Sequence, residues 1–220
     1  MAEERPGADA WVPDRPTLPA LREAVQACRG CELYRDATQA VMGDGDPGAA
    51  LVLLGEQPGD KEDQEGEPFV GPAGRELDEA LEAAGIDPAS VFRTNVVKHF
   101  RWSGTRGKRR IHQSPHQGHV EACSPWLEAE LRVLEPRGVV VLGGTAGKLV
   151  FGSSFKVGEM RGRPVPWPEG QLTVAHPPEW VLPTTHPSAV LRARDARQEA
   201  MDGLVADLRV AASLVRQAGS

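Results

Sequence analysis

Between Arg93 and Val120 the sequence has no acidic residue, in a chain of 220 that carries 31 Asp and Glu against 25 Lys and Arg. Cysteine is scarce too, with three in all, and aromatic residues make up only 5%. No stretch reaches the roughly 20 consecutive apolar residues that a membrane span requires. The first residues, Met1-Ala2-Glu3-Glu4-Arg5-Pro6, lack the charged-then-apolar form of a secretion signal, so a cytoplasmic protein is expected. Three cysteines in a reducing compartment make no disulfide framework, which turns attention to metal or redox chemistry. What remains is a chain with 40% hydrophobic residues, enough for one domain with a real core and unlike a peptide hormone or a repeat array.

The net charge of −6 argues against a nucleic-acid partner, but the total conceals its distribution. The acid-free stretch holds Arg93, Lys98, Arg101, Arg106, Lys108, Arg109 and Arg110, while all other residues together carry 18 positive and 31 negative charges. A basic strip on an acidic body is expected where one face meets phosphates and the others must not. From charge alone a solvated basic loop is the competing account.

Residues 1–16, rich in Pro, Asp, Glu and Arg, have no apolar period and read as a flexible tail; residues 17–220 read as a single domain. Thr17 can cap a helix with Pro19 in its first turn and Gly30 beyond its end. Short apolar runs at 49–55, 91–97 and 138–143 read as buried strands, with weaker candidates at 172–175 and 181–184. Helical spacing marks 73–84, 119–134 and a closing helix within 193–216. Phe100 to Pro115, with few apolar residues and two glycines, reads as a long functional loop. Strands alternating with helices predict an α/β fold, three layers α/β/α around a mainly parallel four-stranded sheet. Ligands of such sheets bind at the carboxyl ends of the strands.

Three such ends carry polar sequences: Gly55-Glu56-Gln57-Pro58-Gly59-Asp60, Thr94-Asn95-Val96-Val97-Lys98-His99 and Gly143-Gly144-Thr145-Ala146-Gly147-Lys148. The last is not a phosphate-binding P-loop, because Leu142 and Leu149 stand where that motif needs Gly and Ser or Thr. Glu56, at the exit of an apolar strand, is either a used carboxylate or a cap on the next helix.

Taken with Glu67-Pro68-Phe69-Val70-Gly71-Pro72-Ala73-Gly74 and Thr184-Thr185-His186-Pro187-Ser188, these segments resemble the ordered motifs of the uracil-DNA glycosylase superfamily, specifically its iron–sulfur family-four type. The insert Gly107-Lys108-Arg109-Arg110-Ile111-His112 resembles the loop of the UdgX subgroup, whose members become covalently attached to uracil-bearing DNA. Glu56-Gln57-Pro58-Gly59-Asp60 also fits that subgroup.

The resemblance implies a DNA repair enzyme acting on uracil-containing DNA, single-stranded by preference because flipping an unpaired base costs least. It implies that His186 stabilises the uracil anion, with Pro187 and Ser188 shaping the adjoining phosphate loop. Asn95 reads the N3–H and O4 edge of the base, and Phe69 stacks on it. Backbone amides around Gln57, Gly59 and Asp60 complete the pocket. His112 attacks C1′ of the sugar, Glu56 holds or deprotonates it, and Gln57 fixes the loop. Arg101, Arg106, Lys108, Arg109 and Arg110 carry the phosphate affinity. Against this stand a turnover glycosylase in which Glu56 works on water and His112 only touches phosphate, and an iron–sulfur nucleic-acid-binding protein without catalysis.

Cys28 and Cys31 form a C-x₂-C pair, and Cys123 follows after a long gap. Spacing alone leaves a zinc site with three Cys and one His open, and His116 and His119 compete as the imidazole. By the resemblance, His99 stands where relatives carry a cysteine, and Cys28, Cys31, His99 and Cys123 hold a [4Fe–4S] cluster. The enzyme is expected to be a monomer with no membrane attachment.

Overall fold

The computed structural model describes residues 5–169, 172 and 174–217. Four apolar segments form the parallel body of the sheet: β2 (Leu51–Gly55), β3 (Phe92–Asn95), β6 (Gly138–Leu142) and β7 (Trp180–Thr184). Three of them are buried along their whole length, as strands covered on both faces must be. A two-residue edge strand, β1 (Asp44–Gly45), pairs antiparallel with β3 and makes the sheet five-stranded, in the order β1-β3-β2-β6-β7. Two residues carry no readable period, which is why the sequence shows four strands.

Alternate side chains of the strands feed two separate cores. Val52, Leu54, Phe92, Val139, Val141 and Val181 face the layer of α1 (Leu18–Ala24), α4 (Gln117–Leu134) and α5 (Gly144–Phe151). Leu51, Leu53, Val140, Leu142 and Leu182 face α3 (Pro72–Ala84) and α8 (Arg197–Arg216). Leu77 and Leu81 of α3 are fully buried there, each contributing about 1.5–3 kcal/mol relative to exposure. Thr17 caps α1 by accepting the Ala20 N–H, and Gly85 ends α3 in the left-handed conformation.

Three elements differ from the sequence reading. Phe100 to Pro115 is not a plain loop but contains an antiparallel hairpin, β4 (Trp102–Arg106) and β5 (Arg109–His112). Polar, mostly exposed strands that pair only with each other leave no hydrophobic alternation to detect. A one-and-a-half-turn helix, α2 (Asp60–Glu65), follows Pro58-Gly59, with Asp60, Glu62 and Asp63 in its first turn. The closing helix lies within 193–216 as α8, and a separate short helix that the sequence did not show, α7 (Ser188–Arg192), precedes it across a 3₁₀ turn. Within the 172–175 strand candidate, Thr173 lies outside the described residues, and Leu172, Val174 and Ala175 are not in a strand. Residues 5–16, read as a flexible tail, lie against the cysteine-bearing end: the Gly7 N–H donates to Gly30 O, and Ala8 is buried in the core. Among the described residues no helix is long and apolar enough to cross a membrane.

Candidate active site

The carboxyl ends of β2, β3, β6 and β7 open into one cavity of about 930 Å³. Glu56 and Gln57 enter it from β2, Asn95 from β3, Gly143 from β6 and His186 from the segment after β7; Phe69 and His112 enter from outside the sheet. Glycine at 55 is a packing requirement, because a Cβ there would lie 2.4 Å from Asn95 Oδ1 and 2.7 Å from the Phe69 ring. Phe69 itself has φ +60, a conformation rare outside glycine. A side chain at Gly74 would strike the Phe69 carbonyl at 1.5 Å, so the first turn of α3 must be bare to let Phe69 fold over the pocket. The Phe69 and His186 rings lie 6.4 Å apart and 25° from parallel.

His186 is held neutral: burial, helped by Arg192 and His112, pushes its pKa down to about 4. His112 is half-exposed at the end of β5, and its pKa is lowered by its partial burial, while Glu56 opposes that shift. Its Nε2 stands 3.6 Å from Glu56 Oε1, beyond hydrogen-bond distance. That carboxylate oxygen is buried and has no hydrogen-bond partner. An unpartnered acceptor in a pocket wall is costly unless something arrives to use it.

The Gln57 side chain, at the cavity wall, is engaged with the hairpin. Its amide donates to Arg101 O at 3.1 Å and Gln113 O at 3.2 Å and accepts the Arg101 N–H at 3.1 Å, so it grips both ends of the hairpin at once. Arg110 is a correction to the charge reading. It turns inward, 2.5 Å from Asp60 Oδ1 and 2.8 Å from Asp63 Oδ2, and lies over the Phe100 and Trp102 rings. Its charge is spent holding the hairpin to α2, and the Asp60 side chain is spent with it. Lys98 is buried against Glu130, and Arg93 pairs with Asp78. Arg101 reaches Ser114 O and His116 Nε2. Arg106, Lys108 and Arg109 remain exposed along the hairpin tip, while Ser188 lies beside His186. The sequence could rank none of these cations, because strand pairing and burial decide which are free.

The three cysteines are all buried. Cys31 is pushed up to about 11 and Cys123 to about 12, chiefly by burial; nearby cysteines add to both. N–H groups aim at the sulfurs: Gly30 N and Trp126 Nε1 at Cys28, each at 3.4 Å, and Lys98 N at Cys123, at 3.3 Å. Buried thiols with donors directed at sulfur are suited to thiolates held by a metal centre. His99 is buried and neutral, its pKa lowered to about 4 by burial. Among the described residues no three His, Cys, Asp or Glu side chains converge on one point as a single metal ion requires. His116 and His119 have other work: His119 Nδ1 accepts the His116 N–H at the start of α4, and its Nε2 lies 2.6 Å from Glu32.

A mainly parallel sheet with a polar cavity at its carboxyl edge, lined by a carboxylate, an amide, a neutral histidine and an aromatic ring, is an α/β fold with its ligand site where such sheets place one. The sequence profile of the Uracil DNA glycosylase superfamily matches residues 42–209, and the chain belongs to that superfamily. It is similar to the Type-4 uracil-DNA glycosylase of Thermotoga maritima, 33% identical over 90% of this chain and 95% of the relative. It is also similar to that of Sulfurisphaera tokodaii, 34% identical over 80% of this chain and 76% of the relative.

Proposed function

We propose that this protein is a DNA repair glycosylase that, acting as a monomer, excises uracil from DNA, single-stranded by preference, and that His112 then captures the sugar. The buried, unpartnered Glu56 Oε1 facing His112 Nε2 at 3.6 Å carries this reading. Cleavage of the C1′–N1 bond leaves positive charge on the sugar and an electron pair on uracil. Neutral His186 donates to the developing anion, a contribution whose loss typically costs about 10²–10³ in rate. Asn95 offers an amide to the base edge, and Phe69 stacks on its face. An unprotonated ring nitrogen of His112 gives its lone pair to C1′ as the C1′–N1 pair departs on the uracil anion; the imidazolium then passes its remaining N–H proton to water, and the uracil anion takes up a proton from water as it leaves. Glu56 orients the imidazole and stabilises its charge. The ring of the sugar stays closed, so the adduct has no elimination route.

Arg106, Lys108 and Arg109 supply phosphate contacts, joined by Arg101, just before β4, and by Ser188 on the cavity wall. Cys28, Cys31, Cys123 and His99 would hold a [4Fe–4S] cluster, which supplies a cross-link between the N-terminal segment, the end of β3 and α4.

The same free oxygen on Glu56 supports a second reading, in which it orients water and the abasic product is released. One experiment separates them. The protein is incubated with a uracil-containing single-stranded oligonucleotide and run on a denaturing gel. A shifted band that survives heat and detergent is the outcome expected for capture. Abasic DNA in excess of enzyme means turnover, and unchanged DNA means binding alone.

A further inference from the structure

Phe100 is shut away from water, yet it belongs to neither of the two cores; it lines the cavity instead. Its ring lies 6.0 Å, centre to centre, from the His112 imidazole and is inclined to it by 42°, while the Arg110 guanidinium stands 5.2 Å from the ring centre. Residues two apart on a strand share a face, so Arg110 and His112 descend from β5 onto the same aromatic ring. That ring is held from below. The Arg101 N–H, on the peptide bond that follows Phe100, donates to Gln57 Oε1 at 3.1 Å, and Gln57 Nε2 donates back to Arg101 O at 3.1 Å. Glu56, the neighbour of Gln57, and Phe100 are therefore parts of one clamped unit.

The imidazole has little else to fix it. It is half-exposed, and Glu56 Oε1 at 3.6 Å is too far for a hydrogen bond. A charge at that distance attracts the ring without setting its plane, whereas an aromatic neighbour prefers particular inclinations.

We propose that Phe100 is a positioning residue, the seat that sets the plane of the His112 imidazole so that its unprotonated nitrogen, and not water, meets C1′. The proposal rests on the reading of His112 as the group that captures the sugar. In that step a C1′–N bond to the imidazole forms as the C1′–N1 bond breaks and its electron pair leaves on uracil; the imidazole is positive until its N–H proton passes to water. Phe100 takes no part in these exchanges and acts only on geometry, where a misplacement of about 1 Å can cost about a hundredfold.

The test uses the whole chain with Phe100→Leu and, as a second apolar replacement that is unbranched, Phe100→Met. A uracil-containing single-stranded oligonucleotide is processed in a single turnover, and adduct formed is counted per uracil released. The imidazole C–H resonances of His112 are followed by NMR in the DNA-free protein, and limited proteolysis reports on the hairpin. In the wild type every uracil released is expected to leave an adduct. In both variants the ratio should fall by about ten- to a hundredfold, with free abasic strand making up the difference. The His112 resonances should move as the ring is removed, and the hairpin should stay uncut, because Arg110 still pairs with Asp60 and Asp63. An unchanged ratio in both variants overturns the proposal. So does new cleavage between Trp102 and His112 accompanying the loss, which would make Phe100 packing for the whole ribbon. A wild type that releases uracil without forming an adduct, while the variants still move the His112 resonances, places the error in the capture reading and leaves the seat standing.

Discussion

Lys98 Nζ sits 2.6 Å from Glu130 Oε2, and both side chains are shut away from water. The ammonium also donates to Thr94 Oγ1 and to the carbonyl of Asn95, each at 2.8 Å, while Glu130 Oε1 accepts the Gly43 N–H. This pair fastens the end of β3, which carries Asn95, to the helix that carries Cys123. Every donor on the lysine has a partner, as a buried charge requires.

Removing one member should therefore cost more than removing both. Lys98→Met leaves a buried carboxylate alone and is expected to destabilise the fold by about 3–5 kcal/mol, whereas Lys98→Met with Glu130→Leu should recover much of that loss. Denaturant unfolding of the two variants checks it; equal losses would show that the pair is not coupled.

Arg110→Ala should loosen the hairpin, since it strands buried Asp63 as well as Asp60. A loss of about 3 kcal/mol is expected, with new proteolytic cleavage between Trp102 and His112. Arg110→Lys should not rescue it, because a point charge cannot span two carboxylates and two aromatic faces. Thermal unfolding and limited proteolysis read both effects.

His112→Ser should abolish the gel-stable adduct, and Glu56→Gln should slow excision by about 10²–10⁴, the range for a positioned acid–base group. Persistence of the adduct in the serine variant would falsify the assignment of His112. A glycosylase that turns over would instead keep its rate in His112→Ser.

Acid should weaken the fold through His186. Its native pKa, about 4, lies below the ordinary 6.5, so between those values the unfolded chain binds a proton that the folded one refuses. The stability contributed is present above pH 6.5 and is lost as pH falls toward 4, by up to about 3 kcal/mol. Unfolding free energies across that window should fall less steeply in His186→Gln.

Iron content and visible absorption decide the cysteine site. Cys123→Ala is expected to lose both, and His99→Cys to keep them, because a thiolate serves an iron–sulfur centre as well as imidazole does. Stoichiometric zinc without iron in the wild type would refute the cluster.

The four parallel strands and the residues at their carboxyl ends were legible because buried strands are continuous apolar runs and their exits are abruptly polar. Glu56, Asn95 and His186 come together as that pattern expects, and Phe69 joins them only through a positive φ and a bare Gly74, which no periodicity shows. The hairpin was hidden because its strands have no buried face. The fate of the basic residues was hidden for a related reason: Arg110 and Lys98 look like phosphate ligands in a list, but long-range partners in α2 and α4 claim them.

The hairpin also makes the position of His112 a matter of counting. Trp102 pairs with His112 and Arg106 with Arg109, with an irregularity in between, and Arg110 holds the ribbon to α2 two residues before the imidazole. Side chains on a strand alternate faces, so one residue gained or lost between Arg110 and His112 would turn the ring away from Glu56 with every side chain of the cavity still present. Whether this imidazole faces the buried carboxylate or open water thus hinges on the parity of a three-residue segment, a change that leaves composition, charge and pocket nearly untouched.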